Sequence, residues 1–232
     1  MQVIIASTST VYGSSYLEYL LPELKTHFNN TDEVVFIPFA RPGGITHDEY
    51  TAKASDGLKS CVNKVTGLHE FEDMKKAISN AKAIFVGGGN TFLLVKQLHE
   101  LDLMKTLKLS IQSGTKYLGT SAGSNICGLT MQTTNDMPIV YPPSFETLGL
   151  LNFNINPHYQ DPYSSSTHKG ETRETRIKEF QTLNSRTVVG LREGSWIKIN
   201  NSEITLEGEL PAVIFESGKL AYEVNPKSHL KF

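Results

Sequence analysis

Apolar and polar positions alternate along this chain in two rhythms. Short apolar runs, at 3–6, 34–40, 83–86 and 116–119, read as strands buried on both faces. Between them lie segments of helical period. In 16–28 the apolar positions are Leu17, Leu20, Leu21, Leu24 and Phe28, one face of a helix. Residues 47–62 and 71–81 also read as helices, and a long helical stretch begins at Asn90. After a strand at 151–155 and a charged helix at 171–183, a strand follows at 187–191. From 196 to 224 the period becomes two, with Gly, Asn and Ser turns between runs, which predicts antiparallel strands at one edge.

Strand–helix alternation predicts an α/β fold with a mostly parallel sheet and helices on both faces. No repeat, low-complexity tract or linker divides the sequence, so residues 1–232 are expected to form one domain. The 22 basic and 24 acidic residues give a net charge of -2, which offers nothing to nucleic acid or an anionic membrane. Cys61 and Cys127 stand apart without CxxC spacing and read as small buried hydrophobes, so neither a disulfide framework nor a metal site is expected. The first residues lack a basic segment followed by a long apolar one, and no apolar run approaches a membrane span. A cytoplasmic protein is the expectation.

In parallel α/β sheets, sites gather at the carboxyl ends of strands. Three such ends carry informative residues. Gly119-Thr120-Ser121-Ala122-Gly123 fits the G-x-S-x-G nucleophile elbow, a sharp strand-to-helix turn that exposes a serine hydroxyl. The motif alone is weak, but its placement after Tyr117-Leu118 and before Ser124-Asn125-Ile126 is the required context. A serine needs a base to take its proton. Of seven histidines, His158 is preferred, because Pro157 stiffens the backbone before it at a predicted strand end. His168 falls in a polar stretch that reads as a loop. The carboxylate that orients the imidazole is either Asp136 or Glu193, both in polar turns; strand-end position favours Glu193, leaving Asp136 a supporting role.

Gly87-Gly88-Gly89-Asn90 ends another strand and leaves backbone N–H groups open. It lacks the Lys-Ser/Thr of a phosphate loop and the spacing of a dinucleotide fingerprint. Beside a serine elbow it reads as half an oxyanion hole, with Gly89 and Ala122 as donors.

Together these elements resemble the peptidase E family of alpha-aspartyl dipeptidases. The matching pieces run in order along the chain: Phe36-Ile37-Pro38-Phe39-Ala40, Val86-Gly87-Gly88-Gly89-Asn90-Thr91-Phe92, Ser121-Ala122-Gly123-Ser124-Asn125, Thr133-Thr134-Asn135-Asp136-Met137-Pro138-Ile139-Val140, Ile155-Asn156-Pro157-His158, His168-Lys169-Gly170-Glu171-Thr172-Arg173 and Gly190-Leu191-Arg192-Glu193-Gly194. The resemblance implies a fold like the class I glutamine amidotransferase domain and a metal-independent serine peptidase without a cofactor. Its substrate would be a small peptide with an N-terminal Asp. It implies Ser121 as nucleophile, His158 as base, and Asp136 or Glu193 as third member. Arg173 would grip the aspartyl side chain; its alternative is an exposed ion pair, for example with Glu174. Thr120 stands where some members have an aromatic residue, which is expected to widen the site beside Ser121. The sequence leaves two other readings open: a beta-aspartyl peptidase resembling cyanophycinase, and a non-catalytic binder of small acidic ligands. The edge strands at 196–224 are the expected surface for a homodimer.

Overall fold

The computed structural model describes residues 1–163 and 170–232. Among them a seven-stranded sheet and a four-stranded sheet are built from eleven strands. In the larger sheet, β1 (Gln2–Ala6), β2 (Glu33–Ile37), β3 (Lys64–Gly67), β4 (Ala83–Val86) and β5 (Lys116–Thr120) run parallel in the order β3-β2-β4-β5-β1. β8 (Ser195–Asn200) and β9 (Glu203–Gly208) extend it antiparallel beyond β1. In the smaller sheet, β6 (Asn154–Pro157) pairs parallel with β7 (Val188–Leu191). β10 (Ala212–Phe215) and β11 (Tyr222–Val224) complete it antiparallel.

The central strands are apolar at consecutive positions because both faces are covered. Val3 and Ile5, Val35 and Ile37, Ile84 and Val86 point to one side. There they pack with Leu94, Val95 and Leu98 of α4 (Thr91–Glu100) and Leu107 and Ile111 of α5 (Met104–Gln112). Ile4 and Ala6, Val34 and Phe36, Ala83 and Phe85 point to the other. They meet Leu24 of α1 (Leu21–His27) and Tyr50, Ala54 and Leu58 of α2 (His47–Leu58). This two-sided alternation is the period of two expressed in a fully buried strand. At roughly 1.5–3 kcal/mol for each buried large side chain, these layers dominate the drive to fold.

The expected α/β architecture is present, with shifted element ends and four differences of kind. The helix expected over 16–28 is shorter. Leu17 adopts φ 62°, a short 3₁₀ turn covers Glu18–Leu20, and α1 begins at Leu21 with Pro22 in its first turn. Strand β3 carries too few apolar residues to stand out, and it lies at the sheet edge. The helical stretch after Asn90 breaks into α4 and α5, with Asp102 at φ 52° between them. The antiparallel strands do not share one edge; β8 and β9 border one sheet, β10 and β11 the other. Among the described residues no helix is long and apolar enough to cross a membrane.

Candidate active site

Strand β5 runs into Ser121 at φ 54° and ψ −108°, and α6 (Ala122–Asn125) follows at once. The flanking glycines have a steric reason. A Cβ on Gly119 would stand 2.4 Å from the Gly123 carbonyl oxygen, and one on Gly123 would stand 2.2 Å from that of Val86. No side chain fits either place. The turn is pinned from beneath. The buried Ser124 hydroxyl is 2.6 Å from the Ala6 carbonyl and 2.8 Å from that of Gly119. Tyr117 Oη donates to the Gly123 carbonyl at 2.7 Å, and Asn125 Nδ2 donates to Ile155 at 2.8 Å. The strained serine backbone is therefore fixed by its surroundings. Cys127 packs below this turn, and burial pushes its thiol up to about 12. That keeps it protonated and unreactive.

His158 follows β6, as Glu193 follows β7. The register of that parallel pair sets Pro157 opposite Leu191, so the two side chains leave neighbouring strand ends. His158 Nδ1 lies 2.6 Å from Glu193 Oε1, and His158 Nε2 lies 2.9 Å from Ser121 Oγ. A carboxylate only accepts, so the Nδ1–H faces it and Nε2 is left to accept from the serine hydroxyl. His158 itself sits at φ 53°. Its N–H donates to Ser7 Oγ at 2.9 Å, and that hydroxyl donates to the Leu191 carbonyl at 2.7 Å. Ser7 thus ties the end of β1 to both strand ends that carry His158 and Glu193.

Asp136 does not reach the imidazole among the described hydrogen bonds. Its Oδ2 accepts from Thr91 N at 2.7 Å, Thr91 Oγ1 at 2.6 Å and Thr134 Oγ1 at 3.0 Å, which caps α4. Of the two carboxylates open in the sequence, Glu193 is the one beside His158.

The glycine loop lies across the elbow. A Cβ on Gly88 would come 2.9 Å from Ser121 Cβ. Gly89 has φ 143°, and a Cβ there would meet the Ala40 carbonyl at 2.3 Å. Gly87 N and Asn90 N donate to the Ile37 and Ala40 carbonyls, and Tyr50 Oη donates to the Gly88 carbonyl. Asn90, where the helical stretch was expected to begin, caps α4 through its side chain. Among the described residues the N–H groups of Gly88, Gly89 and Ala122 donate to no protein acceptor. Gly88 is a third open N–H beside the two expected from sequence, because the loop brings it against Ser121.

Arg173 opens α7 (Arg173–Leu183), which Thr172 caps through Thr175 N at 3.1 Å. Burial holds the guanidinium below its usual value, Arg176 lowers it further, and the Asp136 carboxylate acts in the opposite sense. Glu174 is engaged by Lys178 Nζ at 2.5 Å, and Glu171 by Arg176 at 3.7 Å. The ion pair between Arg173 and Glu174 considered from sequence is absent among the described contacts. A pocket of about 420 Å³ opens beside Arg173, lined also by Gln160, Asp161 and Arg176. His168 and Lys169, which the sequence singled out, lie outside the described residues. Thr120 corrects an expectation. Its side chain is fully buried with Oγ1 unpartnered, so it lies under the elbow and does not line an open site.

Residues 3–207 match the family described as Peptidase family S51. A probable alpha-aspartyl dipeptidase of Drosophila melanogaster is 42% identical over 233 residues, covering 99% of this chain and 96% of its own. A peptidase E of Streptomyces coelicolor is 43% identical over 230 residues, covering 99% and 93%. Among solved structures, a peptidase from an acI-B1 actinobacterium superposes with TM-score 0.74 at 15% identity over 100% of this chain and 96% of that one. A putative peptidase E protein from Listeria monocytogenes EGD-e gives 0.68 at 22% identity, over 90% and 98%. At these identities the two structures speak for the fold alone.

Proposed function

The chain belongs to peptidase family S51, and from that premise we propose that it is a serine dipeptidase that cleaves N-terminal aspartate from alpha-aspartyl dipeptides. The observation that carries this reading is the run of two short hydrogen bonds, 2.9 Å from Ser121 to His158 and 2.6 Å from His158 to Glu193.

Each residue takes a role that its position supports. His158 Nε2 accepts the proton as Ser121 Oγ attacks the aspartyl carbonyl carbon. Glu193 fixes the tautomer and stabilises the imidazolium that forms. The open N–H groups of Ala122 and of Gly88 or Gly89 receive the oxyanion, each worth about 3 kcal/mol of barrier. His158 then gives its proton to the leaving amine. Water, activated by the same imidazole, hydrolyses the acyl-enzyme and returns the proton to Ser121. Arg173 grips the aspartyl carboxylate through two parallel N–H bonds, a geometry that lysine lacks. Asparagine at that place loses the charge and turns an acceptor into a donor, so roughly hundredfold discrimination is expected. The same reading treats 1–232 as one peptidase domain acting in the cytoplasm.

The test is aspartate release from Asp-Leu, with Asn-Leu, Glu-Leu and β-Asp-Leu as controls, in the presence of EDTA. Turnover of Asp-Leu with the controls at least tenfold slower is the expected result. Preference for β-Asp-Leu would move the chain to the beta-aspartyl reading, and binding without turnover would make it a ligand binder.

A further inference from the structure

We propose that Asp136 holds the α-ammonium group of the substrate's N-terminal aspartate, which makes it a specificity residue and not a partner of His158. This rests on the dipeptidase reading above.

The two oxygens of Asp136 are in different situations. Oδ2 accepts three hydrogen bonds, from Thr91 N, Thr91 Oγ1 and Thr134 Oγ1. Oδ1 has no partner among the described residues. Three bonds on one oxygen fix the carboxylate plane and leave the other oxygen presented and pre-organised.

The loop that carries it is fastened to both halves of the site. Asn135 Nδ2 donates to the Pro157 carbonyl at 2.6 Å, one residue before His158, and Asn156 Nδ2 donates to Asn135 Oδ1 at 2.7 Å. On the other side Asn90 Nδ2 donates to the Met137 carbonyl at 2.8 Å, and Thr91 directly follows the glycine loop that crosses Ser121. The loop of Asp136 therefore bridges the end of the glycine loop and the strand end that carries His158.

Its charge poses a question that the ammonium answers. The Asp136 carboxylate acts on the Arg173 guanidinium in the sense that favours the cation, against burial and Arg176. A fixed anion beside the cation that receives an aspartyl side chain opposes binding, unless the ligand brings a cation of its own. An N-terminal aspartate does so. Its α-ammonium sits one carbon from the side-chain methylene, so one residue presents both charges to the Arg173–Asp136 pair. A blocked or internal aspartate presents only the anion, which restricts the enzyme to free N-termini.

Succinyl-Leu is Asp-Leu with hydrogen in place of the ammonium, and it separates this role from the others. Wild-type enzyme is expected to favour Asp-Leu over succinyl-Leu by about a hundredfold in kcat/KM. Asp136→Asn should raise KM for Asp-Leu with kcat little changed, leave succinyl-Leu within a few-fold, and so collapse the ratio. A residue that orients His158, or merely supports the fold, would lower both substrates alike. Equal losses on the two would overturn the proposal. If the variant fails to fold, the wild-type ratio still decides, because a ratio near one overturns it. Wild-type enzyme that turns over neither peptide would overturn the dipeptidase reading itself, and this inference with it.

Discussion

Two residues in strained backbone, Ser121 at φ 54° and His158 at φ 53°, meet at the centre of the site. Positive φ in residues with a Cβ costs about 1–3 kcal/mol each, and persists only where neighbours hold it. For Ser121 the holders are local: Gly119, Gly123 and Ser124. For His158 the holder is Ser7, which is fully buried and lies 151 positions away in sequence. Ser7→Ala should therefore lower kcat for Asp-Leu by roughly ten- to a hundredfold with KM preserved, because it loosens His158, the proposed base, from beneath the site. Steady-state kinetics check this, and an unchanged kcat in a folded variant would contradict it. That Ser121 and His158 would stand at strand ends is legible in sequence, because a glycine-flanked serine and a proline-stiffened histidine have local signatures. Ser7 is not, since a serine in the cluster Ser7-Thr8-Ser9-Thr10 gives no hint of its distant partner. Strand-end position favours Glu193 over Asp136 in the sequence but leaves both open. The β6–β7 register separates them, by carrying Glu193 to the imidazole while Thr91 claims Asp136.

Elements were legible where burial is extreme. Strands β1, β2, β4 and β5 show as apolar runs because both faces meet helices. Strand β3, Lys64–Gly67, offers Val65 and little else, so its pairing with β2 comes from position and not from hydrophobicity. Helix α2 begins where sequence places it, because Thr46 and Glu49 form a capping box. Helix α1 is shorter than its apolar face suggests. Leu17 and Leu20 are buried from a left-handed residue and a 3₁₀ turn, so burial continues where the helix does not. Alternation in β8 to β11 announces strands but not the sheet each joins. That choice is made by long-range pairing, β8 on β1 and β10 on β7, which no local pattern encodes.

At the scale of the whole molecule, a balanced charge hides one buried titratable group remote from the site. His27 ends α1, nine-tenths buried against Phe28, with Nε2 unpartnered and Lys116 and Lys198 nearby. Burial first, and Lys116 second, lower its pKa from 6.5 to about 4. The unfolded chain thus takes a proton at a higher pH than the folded one. Stability is lost as pH falls from about 6.5 to 4, by roughly 3 kcal/mol from this group. Thermal unfolding of wild type and His27→Gln across that range should show a shallower pH dependence in the variant. Identical slopes would contradict the assignment.

If Ser121 is the nucleophile that this scaffold holds, its hydroxyl is indispensable, and the rate of aspartate release from Asp-Leu by Ser121→Ala, beside wild type at matched thermal stability, decides it. A loss of about a thousandfold or more is expected, since the proposed oxyanion donors and binding groups that remain cannot form an acyl-enzyme. Wild-type turnover by the folded alanine variant would contradict it.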